Sequence, residues 1–248
     1  MERKIRVGAV NYLNTKPLIY GFEQGMMKDE ISLVIDYPAN IALQLLNDEI
    51  DVGLVPVSVI PSMKESFIIS DYGIGCDGAV ASVCLFSKVP LAEIRTIYLD
   101  YQSRTSVVLL KILLKEHWKI EPLLIPAEKG YEKNINSDTA VLVIGDRALE
   151  LSSSSPYIFD LGLAWKELTG LPFVFAAWVS NRKLPVAFNT AFNESNMYGL
   201  NNLDRVIKSL HCNIFDLDTY YRKNIRYRID SQAIKGLELF LQYVRTQD

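Results

Sequence analysis

Two short runs of small polar residues are placed where a chain of this kind could bind an anion. The first is the corner Tyr12 to Pro17 (YLNTKP), which follows a strand-like run and precedes a helix. The second is Ser103 to Ser106 (SRTS), at the start of a strongly apolar helical stretch. The first N–H groups of a helix lack partners within it and carry partial positive charge, so both runs favour a carboxylate or a phosphate. The alternative interpretation is that these residues only cap their helices.

The titratable residues offer few options for metal or acid–base chemistry. Cys76, Cys84 and Cys212 are odd in number and lack CxxC spacing, so the sequence predicts neither a disulfide framework nor a zinc site. The histidines are His117 and His211, too few for a multi-histidine metal site. The sequence contains no phosphate-binding loop of the GxxxxGK[ST] type and no GxGxxG fingerprint. We therefore expect activity with no cofactor, whether metal, nucleotide or flavin.

The composition predicts a folded protein and disfavours two classes of partner. The chain has 248 residues, of which 49% are apolar and 22% charged, and its formal net charge is −3. This charge disfavours nucleic acid as a partner, and no apolar run reaches the roughly 18 residues of a membrane span. Arg6 and Asn11 interrupt the apolar stretch that a signal peptide would need, so we expect a cytoplasmic protein. The oligomeric state stays open.

Apolar strands alternating with helices predict a mostly parallel α/β sheet that is covered on both faces. The predicted strands are 5–10, 33–35, 51–55, 67–69, 80–86, 94–99, 123–125, 140–144 and 172–179. The predicted helices begin at Pro17, near Asn40, at Thr105 and near Arg147, and from about Ala187 the pattern is helical to the end. Asp230 and Ser231 are the predicted caps of the last helix, and Gly73, Gly75 and Gly78 are interpreted as a link between strands.

A new strand–helix series begins after residue 86 and predicts two lobes. Lobe I is expected to be discontinuous and to comprise residues 1–86 and 181–248, whereas lobe II comprises 87–180. Crossover strands near 80–87 and 172–180 would connect them. Two lobes joined by two crossovers leave a cleft between them, which is where we expect a ligand to bind.

Five blocks of sequence occur in a distinctive order along the chain. They are NYLNTKPLIYGFE (11–23), DVGLVPVSVIP (51–61), VASVCLFS (80–87), SRTSVVLLKILL (103–114) and VIGDRAL (143–149). Together they resemble chorismate dehydratase of the futalosine menaquinone pathway. The resemblance implies a two-lobed type II periplasmic-binding-protein-like fold with a central inter-lobe cleft. It also implies a cytoplasmic carbon–oxygen lyase (hydro-lyase) that eliminates water from chorismate to give 3-[(1-carboxyvinyl)oxy]benzoate.

The resemblance further implies which residues form the site. Asn14 and Ser82 match polar positions that line the family's pocket, and we expect both to be catalytic. The expected substrate-binding residues are Tyr12, Thr15, Ser58, Ser103, Arg104, Thr105, Ser106, Gly145 and Asp146. No histidine falls in the matching blocks, so we expect the enolpyruvyl carboxylate of chorismate to remove the C3 proton. Asp146 is the protein residue that competes with this carboxylate for the role of base. The alternative interpretation of Asp146 is that it caps the following helix.

Two other functions remain open at this point. One is a non-catalytic small-anion binding protein of the same fold, because a fold alone does not fix function. The other is 1,4-dihydroxy-6-naphthoate synthase, a sibling family with a Cys-Pro-Asn-Asp type corner after its first strand. This chain has Asn11-Tyr12-Leu13-Asn14 there, which favours the dehydratase. Serine is common before the tyrosine in the dehydratase pattern, so no role is assigned to Asn11.

Overall fold

The computed structural model describes residues 3–210, 212 and 215–246, so His211 lies outside the described residues. The strands in this part of the chain are β1 (Ile5–Val10), β2 (Ile31–Asp36), β3 (Val52–Pro56), β4 (Phe67–Cys76), β5 (Val83–Ser87), β6 (Thr96–Leu99), β7 (Leu123–Pro126), β8 (Thr139–Ile144), β9 (Tyr157–Asp160), β10 (Phe173–Ser180) and β11 (Arg226–Arg228). The α-helices are α1 (Lys16–Glu23), α2 (Pro38–Leu46), α3 (Arg104–Ile112), α4 (Asp146–Leu151), α5 (Leu161–Thr169), α6 (Val186–Asn201), α7 (Leu203–Ser209), α8 (Leu217–Thr219) and α9 (Ser231–Thr246). Two π-helical turns follow α3 and α8, at Leu113–Trp118 and Tyr220–Asn224.

The strands form two mixed sheets, which corrects the expectation of a mostly parallel one. The first sheet has the order β11-β4-β10-β3-β1-β2 and the second β7-β6-β8-β5-β9. β1 is parallel to β2 and β3, whereas β10 is antiparallel to β3 and β4. In the second sheet β6 is parallel to β7 and β8, and β5 is antiparallel to β8 and β9. β5 and β10 are the first strands after the chain passes from one sheet to the other.

The predicted lobes depend on where the chain passes from one sheet to the other. β5 pairs within the second sheet and β10 within the first, so each crossing is complete before its strand begins. The division of the chain into 1–86 with 181–248 and 87–180 stays a prediction. Within the described residues, no helix is both long enough and apolar enough to cross a membrane.

Two of the three glycines of the predicted link belong to a strand, whereas Gly78 lies in the bend between β4 and β5. Gly73 and Gly75 lie inside the ten-residue β4. A Cβ on Gly73 would lie 2.6 Å from the carbonyl oxygen of Ala176, and one on Gly75 would lie 2.5 Å from that of Phe173. Gly73 and Gly75 therefore allow β10 to approach β4 closely, and their interpretation as part of a link between strands was wrong.

The C-terminal quarter is also less helical than its pattern predicts, because a π-helical turn and β11 separate α7 from α9. The predicted cap of α9 is confirmed: Asp230 Oδ1 accepts hydrogen bonds from the N–H groups of Gln232 and Ala233. Helix α2 begins at Pro38, two residues before Asn40, and the Asn40 side chain donates to Asp36 Oδ1 at 2.9 Å.

Asp51 joins the start of β1 to the start of β3. Its buried carboxylate accepts from the Arg6 N–H at 2.9 Å, from Arg6 Nε at 3.1 Å and from Arg3 Nη2 at 3.0 Å. Burial acts to raise the pKa of Asp51, but the hydrogen bonds from Arg6 and Arg3 outweigh it and lower the pKa to about 2. The ionised carboxylate thus contributes to the stability of the first sheet.

Asp51→Asn is expected to lower the free energy of unfolding at neutral pH by about 2 kcal/mol, because hydrogen bonds to a charged group are lost. The pKa of Asp51 is lowered in the folded state, so its contribution is present above the ordinary pKa of 3.8 and is lost as the pH falls through about 2. Urea unfolding at several pH values measures this. A stability difference that does not shrink between pH 4 and pH 2 would contradict the assignment.

Candidate functional site

A cleft of about 600 Å³ is lined by residues from both sheets. Its apolar lining residues are Val10, Pro38, Leu54, Pro56, Ile74, Val80, Val83, Ile144, Phe175 and Ala176. Its remaining lining residues, mostly polar, are Tyr12, Asn14, Thr15, Ser82, Gln102, Ser103, Thr105, Ser106 and Gly145. Apolar walls with a few convergent hydrogen-bonding groups suit a small ring that carries polar substituents.

The corner after β1 connects the two sheets. It forms a 3₁₀ turn, Leu13–Thr15, between β1 and α1. The Tyr12 hydroxyl donates to Gln102 Oε1 at 2.6 Å, and the Leu13 N–H donates to Asp146 Oδ1 at 3.1 Å. No side chain caps the 3₁₀ turn or α1, so the capping interpretation of this corner was wrong. Its polar groups face the cleft and the second sheet.

The start of α3 also lines the cleft. Ser103 is its N-cap and accepts a hydrogen bond from the Ser106 N–H at 3.1 Å, so here the capping interpretation is confirmed. Thr105 Oγ1 accepts from the Ser58 N–H and donates to Ser58 Oγ, both at 3.2 Å. The nine-residue α3 therefore presents its N-terminal turn, and the positive end of its dipole, to the cleft.

Ser82 is held firmly through its backbone while its hydroxyl has no partner. Asp160 accepts from the N–H groups of Val80 at 3.1 Å and Ala81 at 2.7 Å, and the Ser82 carbonyl accepts from the Gly145 N–H at 2.8 Å. Ala81 has a positive φ of 62°. The Ser82 side chain is fully buried, and Oγ makes no hydrogen bond. A buried hydroxyl without a partner is rare and is often found at functional sites.

The structure brings most of the expected site residues together. Eight of the eleven line the cleft: Tyr12, Asn14, Thr15, Ser82, Ser103, Thr105, Ser106 and Gly145. Ser58, Arg104 and Asp146 are not among the lining residues. Arg104 is exposed, and Asp146 binds the Leu13 N–H and caps no helix, so the cap interpretation of Asp146 was wrong. The catalytic and binding roles of all eleven residues stay predictions.

Gln102 is a lining residue that the sequence analysis did not select. Its Oε1 accepts from Tyr12 and also from Arg147 Nη2 at 3.0 Å. Arg147 is itself held by Asp100 Oδ2 at 2.7 Å and lies behind Gln102. The position of Gln102 directly before Ser103 was an available signal. No sequence signal marked Tyr220, a buried tyrosine that does not line the cleft.

The cleft has few titratable groups. Of the described residues that line it, none is Asp, Glu, His, Lys or Arg. Burial raises the pKa of Tyr12, which therefore stays a neutral hydrogen-bond donor. Burial also raises the pKa of Asp146, and the hydrogen bond from the Leu13 N–H opposes that rise. The positive end of α3 is consequently the main feature that can attract an anion here.

The site also differs from a metal centre in its donor atoms. Across 3–210, 212 and 215–246, no group of three or more His, Cys, Asp or Glu side chains is placed to bind a metal ion. The lining residues offer hydroxyl, amide and backbone N–H groups, which suit hydrogen bonding to an organic anion.

Comparison with known proteins agrees with this picture. A family model described as menaquinone biosynthesis matches residues 5–246. A Thermus thermophilus protein named chorismate dehydratase is 28% identical to this chain, over 95% of this chain and 93% of that protein. The crystal structure of an Archaeoglobus fulgidus protein superposes with a TM-score of 0.72 at 17% identity and covers 98% of this chain and 97% of its own. A Candida albicans protein described as having the generic periplasmic binding protein fold gives 0.62 at 10% identity, over 99% and 91% of the two chains. The expected periplasmic-binding-protein-like fold is confirmed.

Proposed function

Because this chain belongs to the menaquinone biosynthesis family, we propose that it is an enzyme that eliminates water from chorismate to give 3-[(1-carboxyvinyl)oxy]benzoate. The Thermus thermophilus relative carries the corresponding name. The observation that carries the proposal is the cleft, which the N-terminal turn of α3, Asn14 and Ser82 line together with apolar walls. This arrangement fits a cyclic dianion with a leaving hydroxyl group.

Each part of chorismate finds a complementary surface in this proposal. The N-terminal turn of α3 binds one carboxylate through its dipole, the Thr105 N–H and the hydroxyl groups of Ser103 and Ser106. The apolar walls, which include Phe175, pack against the ring. Asn14 and Ser82 form hydrogen bonds with the reacting end of the substrate.

The reaction removes the C3 proton and the hydroxyl group of the neighbouring ring carbon, which leave together as one water molecule. The electron pair of the C3–H bond becomes a ring double bond while the carbon–oxygen bond breaks, and aromatisation provides the driving force. The enolpyruvyl carboxylate of the substrate takes the proton, since the described lining residues include no carboxylate or imidazole. It then passes the proton to the departing hydroxyl group, which regenerates the carboxylate and releases water. Asn14 and Ser82 stabilise the departing hydroxyl and the developing charge by hydrogen bonding.

Incubation of the purified protein with chorismate tests this function. We expect the ultraviolet spectrum to change to that of a substituted benzoate and mass spectrometry to show loss of one water. Chorismate binding without turnover, measured by calorimetry, would instead indicate a binding protein. If the protein neither binds nor converts chorismate, the choice of substrate is wrong. Assays with the substrate of the naphthoate synthase sibling are then the next test.

Turnover is expected to be unaffected by exhaustive treatment with EDTA, because hydrogen bonds and the substrate carboxylate perform every step in this proposal. The comparison is the initial rate before treatment, after treatment, and after addition of Mg²⁺ or Zn²⁺ to the treated protein. A rate that falls with EDTA and returns with one metal would contradict this prediction.

A further inference from the structure

The buried hydroxyl of Tyr220 lies behind the two residues to which the proposed reaction assigns catalysis. Tyr220 is fully buried, and its hydroxyl faces the side chains of Ser82 and Asn14. Both neighbours interact with it, yet none of these contacts has the distance and angle of a full hydrogen bond, so the hydroxyls of Tyr220 and Ser82 remain without partners. Two partnerless hydroxyls that face each other form an incomplete network, which a bound ligand can complete.

The backbone that carries Tyr220 is unusual and is anchored on both sides of this network. Tyr220 begins the π-helical turn Tyr220–Asn224, a conformation that is rare and often found at functional sites. The next residue, Tyr221, donates to the carbonyl of Leu13 at 2.9 Å, beside Asn14. At the other end of the turn, Asn224 Nδ2 donates to the carbonyl of Ala79 at 3.1 Å, in the loop that leads to Ser82.

We infer that Tyr220 is a positioning residue: when a ligand completes the network, its hydroxyl donates to Ser82 Oγ and thereby directs the Ser82 proton toward the departing hydroxyl group of the substrate. Serine has one proton, so a Ser82 that accepts from Tyr220 has its own O–H free to point into the cleft. Tyr220 suits this task because burial favours its protonated form and so keeps it a donor. This inference rests on the proposed function and adds to it a residue that does not line the cleft.

Tyr220→Phe tests the inference with a minimal change, because only the hydroxyl is removed. We expect kcat for chorismate to fall on the order of tenfold or more while KM changes little, since the ordering of Ser82 matters most in the transition state. The melting temperature should stay the same or rise, because the deleted hydroxyl has no hydrogen-bond partner to lose. A structural role alone predicts the opposite pattern, with lower stability and normal kcat.

Ser195→Ala is the matched control. Ser195 Oγ is also buried and without a partner, but it packs against Gly21 of α1, away from the cleft. We expect this variant to keep both kcat and KM. The control therefore separates the loss of any unpaired buried hydroxyl from the loss of the one behind Ser82.

The double variant Ser82→Ala with Tyr220→Phe decides whether Tyr220 acts through Ser82. If it does, kcat of the double variant equals that of Ser82→Ala, because no serine is left to orient. A second, multiplicative loss would overturn the inference, as would wild-type kcat in Tyr220→Phe alone.

Crystal structures of the wild type and Tyr220→Phe with benzoate bound in the cleft test the same point independently of chorismate. We expect Ser82 Oγ to hold one rotamer in the wild type and to occupy more than one in the variant. An unchanged Ser82 would overturn the inference even if chorismate is the substrate. A wild type that binds and converts no chorismate would overturn the proposed function alone, because the Ser82 rotamers would still report on Tyr220.

Discussion

Ser82→Ala is expected to lower kcat for chorismate on the order of 10²-fold or more, the scale found when one preorganised hydrogen-bond partner is removed from a reacting group. Stability should change little, because Ser82 Oγ makes no hydrogen bond within the described protein. Asn14→Ala is expected to cause a loss of similar size, since Asn14 lines the same cleft and, like Ser82, contacts the Tyr220 hydroxyl. Single-turnover aromatisation followed by ultraviolet absorbance measures both losses.

Each variant has a matched control in the chain. Ser87 is also buried in β5, but its Oγ accepts from the Val89 N–H at 3.1 Å. Ser87→Ala should therefore lower stability by about 1 kcal/mol and leave kcat unchanged. Asn11 is exposed, and its Oδ1 accepts from Lys16 Nζ, so Asn11→Ala should also keep normal kcat.

The slow variants Ser82→Ala and Asn14→Ala should still bind chorismate in calorimetry, because the contacts of α3 with a carboxylate remain. Wild-type turnover in Ser82→Ala and Asn14→Ala would remove these residues from the mechanism. The search for a base would then return to Asp146, whose carboxylate lies just behind the corner at Leu13.

The second large effect is expected from a negative charge at the start of α3. Ser106 is the third residue of the helix, its side chain is 3% exposed, and it lines the cleft. Ser106→Glu should raise KM for chorismate on the order of 10²-fold, because a carboxylate at the anion site repels the substrate carboxylate. The fold should survive, since an acidic residue in the first turn of a helix is favourable.

Ser106→Gln separates charge from size. It has nearly the same volume as the glutamate but no charge, so its KM should rise much less. Added salt should also reduce the defect of Ser106→Glu, because ions screen the repulsion. An equal rise of KM in both variants would show that the effect is steric, and a normal KM in Ser106→Glu would place the carboxylate elsewhere.

The sequence by itself determined the features that depend on neighbouring residues. The apolar run Ile5–Val10 and the polar corner that follows it were correctly predicted as a strand and a turn at the cleft. The cap of α9 by Asp230 was also predicted correctly. Strand periodicity and helix caps are set by residues within a few positions of each other, so a sequence pattern contains them.

Only the tertiary structure decided which distant groups meet. The sequence indicates that Gly73 and Gly75 belong to a link between strands. Their actual role is to allow the close approach of β10, which lies far along the chain from β4. Asp146 looks like a helix cap, but the Leu13 N–H of the first sheet's corner is its partner. Tyr220 carries no local signal at all, since its position behind Ser82 depends on a π-helical turn and on the pairing of both sheets. A hydrogen bond between remote segments is fixed by how the whole chain packs, and no local pattern of residue types contains that information.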